Sequence, residues 1–150
     1  MLMQTSDLTG PALDWAVAKC EGRGIEFDDP RDPWLTRDGI ADQPLHSYTP
    51  STDWSQGGPI IERENISIVR CDDDYQNFPD KWLAERGANS YCESTEHQQH
   101  DAMIQFSVWN DGGCFAKDGP FYGPTPLIAA MRCFVASRLG DEVDVPDELA

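Results

Sequence analysis

The most regular alternation of apolar and polar positions runs from Leu127 to Leu139. Its apolar residues recur every three or four positions, so that on a helix they would form one stripe. The stripe consists of Leu127, Met131, Phe134 and Val135, with Ile128 and Leu139 beside it. Thr125 is a suitable N-cap, Pro126 a suitable first helical residue, and Gly140 a suitable C-terminal stop. The pattern predicts a C-terminal helix packed on a core.

A second helix is predicted near the beginning of the chain, from about Leu8 to Glu21. One face would carry the apolar residues Leu13, Ala16, Val17 and Cys20. Thr9 can cap this helix and Pro11 is tolerated in its first turn, whereas Gly22 and Gly24 favour its end.

Strand patterns lie between the two helices. Ile66 to Arg70 alternates apolar and polar residues, and Ala102 to Trp109 alternates more strongly. Asn110 to Gly113 is a turn signal after which Cys114 to Ala116 could return as a hairpin partner. Asp80 to Arg86 is predicted to form a short helix.

A long segment without clear periodicity extends from about Asp28 to Gly58. It is interrupted by four prolines, at positions 30, 33, 44 and 50, with Trp34, Tyr48 and Trp54 between them. Because a structureless loop of this length is unusual in a compact domain, the segment either serves a function or contains short strands.

The order helix, strands, helix predicts an α+β fold. We expect a layered helix and sheet sandwich with a mainly antiparallel sheet and with helices near both ends. A length of 150 residues indicates one domain, residues 1–150. Residues 140–150 would form an acidic tail that is extended between Val143 and Pro146.

The net charge of the chain restricts the classes of molecule that it is expected to bind. The formal net charge is -16, from 27 acidic and 11 basic residues. A surface of this kind repels phosphate backbones and anionic lipids, so we expect no direct binding to nucleic acid or membranes. The same charge either keeps the protein soluble or steers it toward a basic protein.

The location follows from what the chain lacks. The segment from Met1 to Leu8 has no basic or apolar run typical of a signal peptide. No stretch approaches the roughly 18 apolar residues that span a bilayer. The five cysteines have irregular spacings. We therefore expect a cytoplasmic protein with reduced thiols.

Metal binding and catalysis have weak signals. Cys92, Glu96, His97 and His100 are possible ligands, but a zinc site usually has four ligands in paired spacings. No phosphate-binding loop, nucleophile elbow or zinc-protease helix is present. We expect no metal, no cofactor and no enzymatic activity.

Acidic clusters are a further candidate. Asp28, Asp29 and Asp32 form one cluster and Asp72 to Asp74 another, and neither matches a calcium-binding loop. Each is interpreted first as solvated surface. Together, the clusters could present phosphate-like charge to a basic groove.

Two segments could bind a small ligand. The backbone N–H groups at the start of the last helix would accept an anion. In the segment from Thr52 to Pro59, glycines would allow close backbone approach and Trp54 could stack on a ring. Arg63, a few residues after this segment, is the basic residue near it and would supply positive charge. If both segments meet, they form a polar pocket whose predicted ligand-binding residues are Thr52, Asp53, Trp54, Gln56, Gly57, Gly58, Arg63 and Thr125.

Four blocks of this sequence resemble the phage ABA sandwich family. They are Leu8–Gly22, Ser51–Glu64, Tyr91–Met103 and Gly123–Pro146. The resemblance covers most of the chain, apart from about Arg23 to Tyr48 and Asp72 to Asp80. It implies a phage or prophage product with layers of helices and sheet. It implies no function and no catalytic residues.

Three functions follow as hypotheses. The first is a phage accessory protein acting by stoichiometric binding in the host cytoplasm, with counter-defence by sequestering a small nucleotide-like host signal. The alternative is an acidic nucleic-acid mimic that inhibits a basic host restriction or interference protein. The third is a metal-assisted enzyme around Cys92, His97 and His100. A homo-oligomer is compatible with each.

Overall fold

The computed structural model of the chain describes residues 1–70, 82–86 and 118–150, and for 118–120 the backbone alone. Several predicted features lie outside these residues. They are the strand at Ala102 to Trp109, the turn and hairpin partner that follow it, the acidic triplet Asp72 to Asp74, and the segment from Cys92 to His100.

The described residues form an α+β fold, which confirms the predicted class. They contain three helices, α1 (Gly10–Cys20), α2 (Trp54–Arg63) and α3 (Pro126–Leu139). They also contain eight strands, namely β1 (Leu2–Gln4), β2 (Gly24–Glu26), β3 (Trp34–Arg37), β4 (Ile40–Pro44), β5 (Ile66–Arg70), β6 (Trp82–Arg86), β7 (Asp118–Gly123) and β8 (Glu142–Asp144). None of these helices has the length and apolar character required to cross a membrane.

The strands of the described part form three small antiparallel sheets. Their strand orders are β1–β8, β2–β3–β4 and β5–β6–β7. In the last sheet, alternate residues of each strand face α3, because Ile66, Ala84 and Phe121 all pack in the core. The apolar positions of the predicted strand Ile66–Arg70 therefore reflect burial on one face.

Helix α3 is the centre of the core. It contacts α1, α2 and every strand of the β5–β6–β7 sheet. Met131, Phe134 and Val135, all from the predicted stripe, are buried. Burial of each such side chain contributes about 1.5–3 kcal/mol. Gly140 ends the helix with a positive φ of 91°, a conformation that glycine adopts without strain.

Helix α1 packs on α3 through the predicted face, where Leu13, Ala16 and Val17 are fully buried. The helix begins after Thr9, although the Thr9 side chain makes no capping hydrogen bond. The predicted boundaries of α1 and α3 are thus correct to within about two residues.

The acidic C-terminal segment is not a free tail. Its extended part, β8, pairs with β1 so that Leu2 lies opposite Asp144. Val143 and Val145 are buried, and the amino group of Met1 hydrogen-bonds Asp144. Strand β8 overlaps the predicted extended segment Val143 to Pro146 in part, and its packing against the N-terminal strand was not predicted.

Two other predictions were wrong and one was confirmed. Trp82–Arg86 is strand β6 rather than a helix, because pairing with β5 and β7 outweighs the helix propensity of its residues. The segment 28–58 contains β3, β4 and a short 3-10 helix at Leu45–Ser47, which confirms the prediction that it contains short strands. Trp54 to Gly58 belongs to helix α2 rather than to a loop.

Candidate functional site

Helix α2 begins at Trp54 because Asp53 caps it. The Asp53 carboxylate accepts hydrogen bonds from the backbone N–H of Ser55 at 2.8 Å and from the Ser55 hydroxyl at 2.7 Å. The amide of Gln56 also donates to it, at 3.1 Å. These hydrogen bonds, first of all those from Ser55, lower the pKa of the Asp53 carboxyl. The negative charge lies at the positive end of the helix dipole.

The side chain of Gln56 ties α2 to the preceding loop. Its Oε1 accepts the N–H of Thr49 at 3.0 Å, and its Nε2 donates to the carbonyl of Ser47 at 3.2 Å. Gln56 thus fixes the path of the loop that carries Ser51 and Thr52.

The loop is also anchored to helix α1. The N–H of Ser51 donates to the buried carboxylate of Asp14 at 2.9 Å. Burial raises the pKa of Asp14, and the hydrogen bond from the Ser51 backbone N–H opposes that rise. Because Asp14 is a buried residue of α1, this hydrogen bond fastens the loop to the helix.

The two glycines of α2 play different parts. A Cβ on Gly57 would lie 2.4 Å from the carbonyl oxygen of Pro50 and 2.6 Å from Cδ2 of Leu127. At Gly58 an added Cβ would meet nothing within 4 Å. Gly57 thus allows α2 to approach the loop and α3 closely. Its neighbours are the protein atoms of Pro50 and Leu127, although the sequence predicted that it binds a ligand.

Helix α3 begins next to this contact. Thr125 caps it, since its Oγ1 accepts the N–H of Ile128 at 3.2 Å. Pro126 has no N–H to satisfy, and the N–H of Leu127 lies in the first turn, where a helix supplies no internal acceptor. The predicted cap and first residue are both confirmed.

A depression of about 330 Å³ lies where α2 and α3 begin. It is lined by Ser51, Thr52, Trp54, Thr125, Pro126 and Leu127. Trp54 is 55% exposed, although tryptophan is highly buried on average. The fold therefore brings together Thr52, Trp54 and Thr125, three of the residues that the sequence indicated.

The depression offers ring stacking and hydrogen bonding. Its lining includes hydroxyl groups, an indole and apolar groups, but no imidazole, thiol or carboxylate. These lining groups can form hydrogen bonds and ring contacts.

A family model described as bacteriophage P22, NinX matches residues 4–110, more than half of the chain. The chain belongs to the bacteriophage P22 NinX family. It is a phage-encoded accessory protein, as the sequence resemblance implied. The match does not name an ABA sandwich, so that part of the resemblance stays a prediction. Among curated proteins, none matches the chain.

The matched range in this NinX family member contains the loop and helix α2 but ends before Thr125. The family model therefore covers one side of the depression, with Ser51, Thr52 and Trp54. The other side comes from α3.

Arg63 is not at the depression, although the sequence suggested that it supplies charge there. It lies nine residues after Trp54 on α2, roughly 13 Å along the helix axis. Its guanidinium pairs with Glu21 and, at 3.1 Å, with Glu64. The hydrogen bonds that Arg63 donates to the Glu21 carboxylate are the first cause of the raised pKa of Arg63.

Glu64 is the centre of a charge cluster that sequence reasoning missed. Its buried carboxylate forms ion pairs with three arginines. The N···O distances are 3.1 Å to Arg63, 3.1 Å to Arg86 and 3.0 Å to Arg138. Burial alone would raise the pKa of Glu64, but the hydrogen bonds from Arg63, Arg138 and Arg86 outweigh it and the pKa is lowered. The cluster joins α2, β6 and α3, which indicates a structural role.

Glu85 is a second group without a sequence signal. It lies in β6 where the pairing with β7 shifts register, and its side chain is buried. Within the part of the chain that the structure describes, neither of its carboxyl oxygens has a hydrogen-bond partner. Burial raises the pKa of Glu85 to about 7.

The thiol of Cys20 is not a candidate nucleophile. Cys20 is the last residue of helix α1 and is partly buried, and burial raises the pKa of its thiol to about 12. A thiol in this state is almost entirely protonated at neutral pH. The possible metal ligands Cys92, Glu96, His97 and His100 lie outside the described residues.

Proposed function

We propose that the protein acts by stoichiometric binding of a small, nucleotide-like host molecule in the depression between the starts of α2 and α3. In the cytoplasm of an infected bacterium, sequestering such a signal would serve counter-defence. The observation that carries the proposal is the exposed indole of Trp54 at the edge of this depression.

The lining supports a ligand with a ring and an anionic group. The indole of Trp54 offers a face for a heterocycle, and stacking of one base contributes about 1–3 kcal/mol. Beside it, Pro126 and Leu127 line the depression at the start of α3, which is the positive end of a helix dipole. The hydroxyls of Thr52 and Thr125 add hydrogen-bonding groups.

The net charge of -16 does not prevent this binding. No lining residue carries a charge, and the nearby carboxylate of Asp53 is occupied by Ser55 and Gln56. Exposed charges farther away are screened beyond roughly 8 Å at physiological ionic strength. Because the lining has no acid or base group, we expect binding without turnover.

Native mass spectrometry tests the proposal. The purified protein is incubated with a small-molecule extract of phage-infected cells from which macromolecules have been removed. We expect a retained mass at one ligand per chain, which fragmentation would identify as nucleotide-like.

Two variants make the test specific to the depression. Trp54→Ala should lose the retained mass. Ile40→Ala removes another exposed apolar side chain, 71% exposed on β4, and should keep it. Retention by both variants would place any binding elsewhere.

The alternative function is an acidic inhibitor of a basic host restriction or interference protein. The surplus of acidic residues favours it. It predicts no retained small mass, and instead co-purification with a basic host protein that is lost as salt is raised.

A further inference from the structure

One face of the β2–β3–β4 sheet carries the exposed residue Trp34. Trp34 of β3 lies directly opposite Glu26 of β2 and Pro44 of β4, so these three side chains share that face. Ile25 and Leu35 point to the opposite face, where they belong to the core. Trp34 remains 37% exposed.

The indole of Trp34 is held in place on this face. Its Nε1 donates to Oδ2 of Asp32 at 3.3 Å. The other carboxylate oxygen of Asp32 lies 3.2 Å from Nδ1 of His46. The edge of the ring is thus fixed, and both oxygens of Asp32 already have a partner.

A second depression, of about 310 Å³, surrounds the indole. It is lined by Trp34 and Ala41 together with the carboxylates of Glu26, Asp28, Asp29 and Asp32. None of these lining residues is basic. The face therefore combines an aromatic surface with a concentration of negative charge, on a rigid sheet.

We propose that this sheet face is a docking surface for a protein segment that presents arginine. A guanidinium is planar and weakly hydrated, so it can stack on the Trp34 indole while its N–H groups reach the surrounding carboxylates. Nucleic acid is repelled by the same carboxylates. The geometry favours a side chain over a metal ion, because Asp32 is occupied on both oxygens and Asp29 accepts the N–H of Arg31 at 2.9 Å. This proposal does not depend on the Trp54 depression.

A peptide titration followed by NMR tests the docking surface. The probe is a nine-residue peptide in which Gly-Ser-Arg is repeated three times. Matched peptides carry lysine or uncharged citrulline in place of arginine. The observed signals are the indole N–H resonances of the protein, assigned by substitution, at low and at physiological ionic strength.

We expect saturable binding of the arginine peptide with a shift of the Trp34 indole signal. The lysine peptide should bind several-fold more weakly than the arginine peptide, and the citrulline peptide should not bind. Trp34→Leu should weaken binding about fivefold. The double variant Asp28→Asn and Asp29→Asn keeps the oxygen acceptors of the turn and should weaken binding by about fivefold or more.

A matched pair of charge changes controls for the overall charge. Asp7→Asn with Glu148→Gln removes two acidic groups from the opposite ends of the chain and should change affinity by less than about twofold. Circular dichroism tests whether each variant is folded. If Trp34→Leu is not folded, the double variant Asp28→Asn and Asp29→Asn still tests the proposal.

Three results would overturn the proposal. One is equal binding by all variants, which would reveal diffuse attraction to a negative protein. Another is the absence of any shift at Trp34 in low salt. The third is equally tight binding of free spermidine at this face, which would make it a site for small cations.

Discussion

The backbone of Gly57 lies so close to Pro50 that an added Cβ would be 2.4 Å from the Pro50 carbonyl oxygen. A second obstacle, Cδ2 of Leu127, would be 2.6 Å away. Because the first obstacle is backbone, Gly57→Ala should force α2 away from the loop. We expect a loss of about 1–3 kcal/mol in the free energy of unfolding, measured with urea.

The neighbouring glycine provides the control. At Gly58 an added Cβ has open space, and alanine favours a helix over glycine by up to about 1 kcal/mol. Gly58→Ala should therefore leave the protein as stable or make it more stable. Equal destabilisation by both substitutions would contradict the close contact at Gly57.

The buried carboxylate of Glu64 should be essential for stability. Glu64→Gln leaves Arg63, Arg86 and Arg138 around a neutral group, and we expect a loss of about 2 kcal/mol. Glu62→Gln, an exposed change on the same helix, should cost less than about 0.5 kcal/mol. Similar urea midpoints for the two variants would rule out a structural role for the cluster.

The lowered pKa of Glu64 sets the sign of a pH effect. Its charged form is favoured in the folded state, so its stabilisation is complete above the unfolded pKa and is lost as the pH falls through the folded value. Acid should thus reduce the difference between wild type and Glu64→Gln. A difference that grows in acid would be inconsistent with the cluster.

Glu85 should act in the opposite direction. Its pKa rises from 4.5 to about 7 on folding, so the unfolded chain ionises first. The stabilisation is complete below pH 4.5 and declines until the pH reaches about 7, by about 3 kcal/mol at 1.4 kcal/mol per pKa unit. Urea unfolding across this range should show that decline in wild type, and a smaller one in Glu85→Gln. Parallel profiles would show that Glu85 is charged in the folded protein.

The cap of α3 can be tested by a hydroxyl swap. Thr125→Val keeps the shape of the side chain but removes the oxygen that accepts the N–H of Ile128. We expect a loss of about 1 kcal/mol in thermal or urea unfolding, restored by Thr125→Ser. A serine variant as unstable as the valine variant would indicate that the hydroxyl is not the cap.

Local patterns predicted the parts of the fold that depend on local contacts. The helix at the C-terminus was predictable because its apolar stripe, its cap Thr125 and its stop Gly140 are all adjacent in sequence. Trp82 to Arg86 has the composition of a helix, and only its pairing with β5 and β7 makes it a strand. Such pairing involves residues far apart in the chain, which no local pattern records.

Local patterns also predicted part of the candidate site. Two segments with polar, aromatic and helix-start features were expected to meet, and Trp54 and Thr125 do line one depression. Arg63 was included because it follows closely in sequence. Helix α2 begins at Trp54 and places Arg63 at its other end, where Arg63 pairs with Glu21 and Glu64.

The most direct test of the central proposal is the dissociation constant of the retained nucleotide-like molecule, measured by isothermal titration calorimetry. Trp54→Ala should weaken binding about tenfold or more, because it removes the stacking surface. Arg63→Gln and Ile40→Ala lie away from the depression and should bind as wild type does. Undiminished affinity in Trp54→Ala, or a loss of affinity in Arg63→Gln alone, would contradict the proposed site.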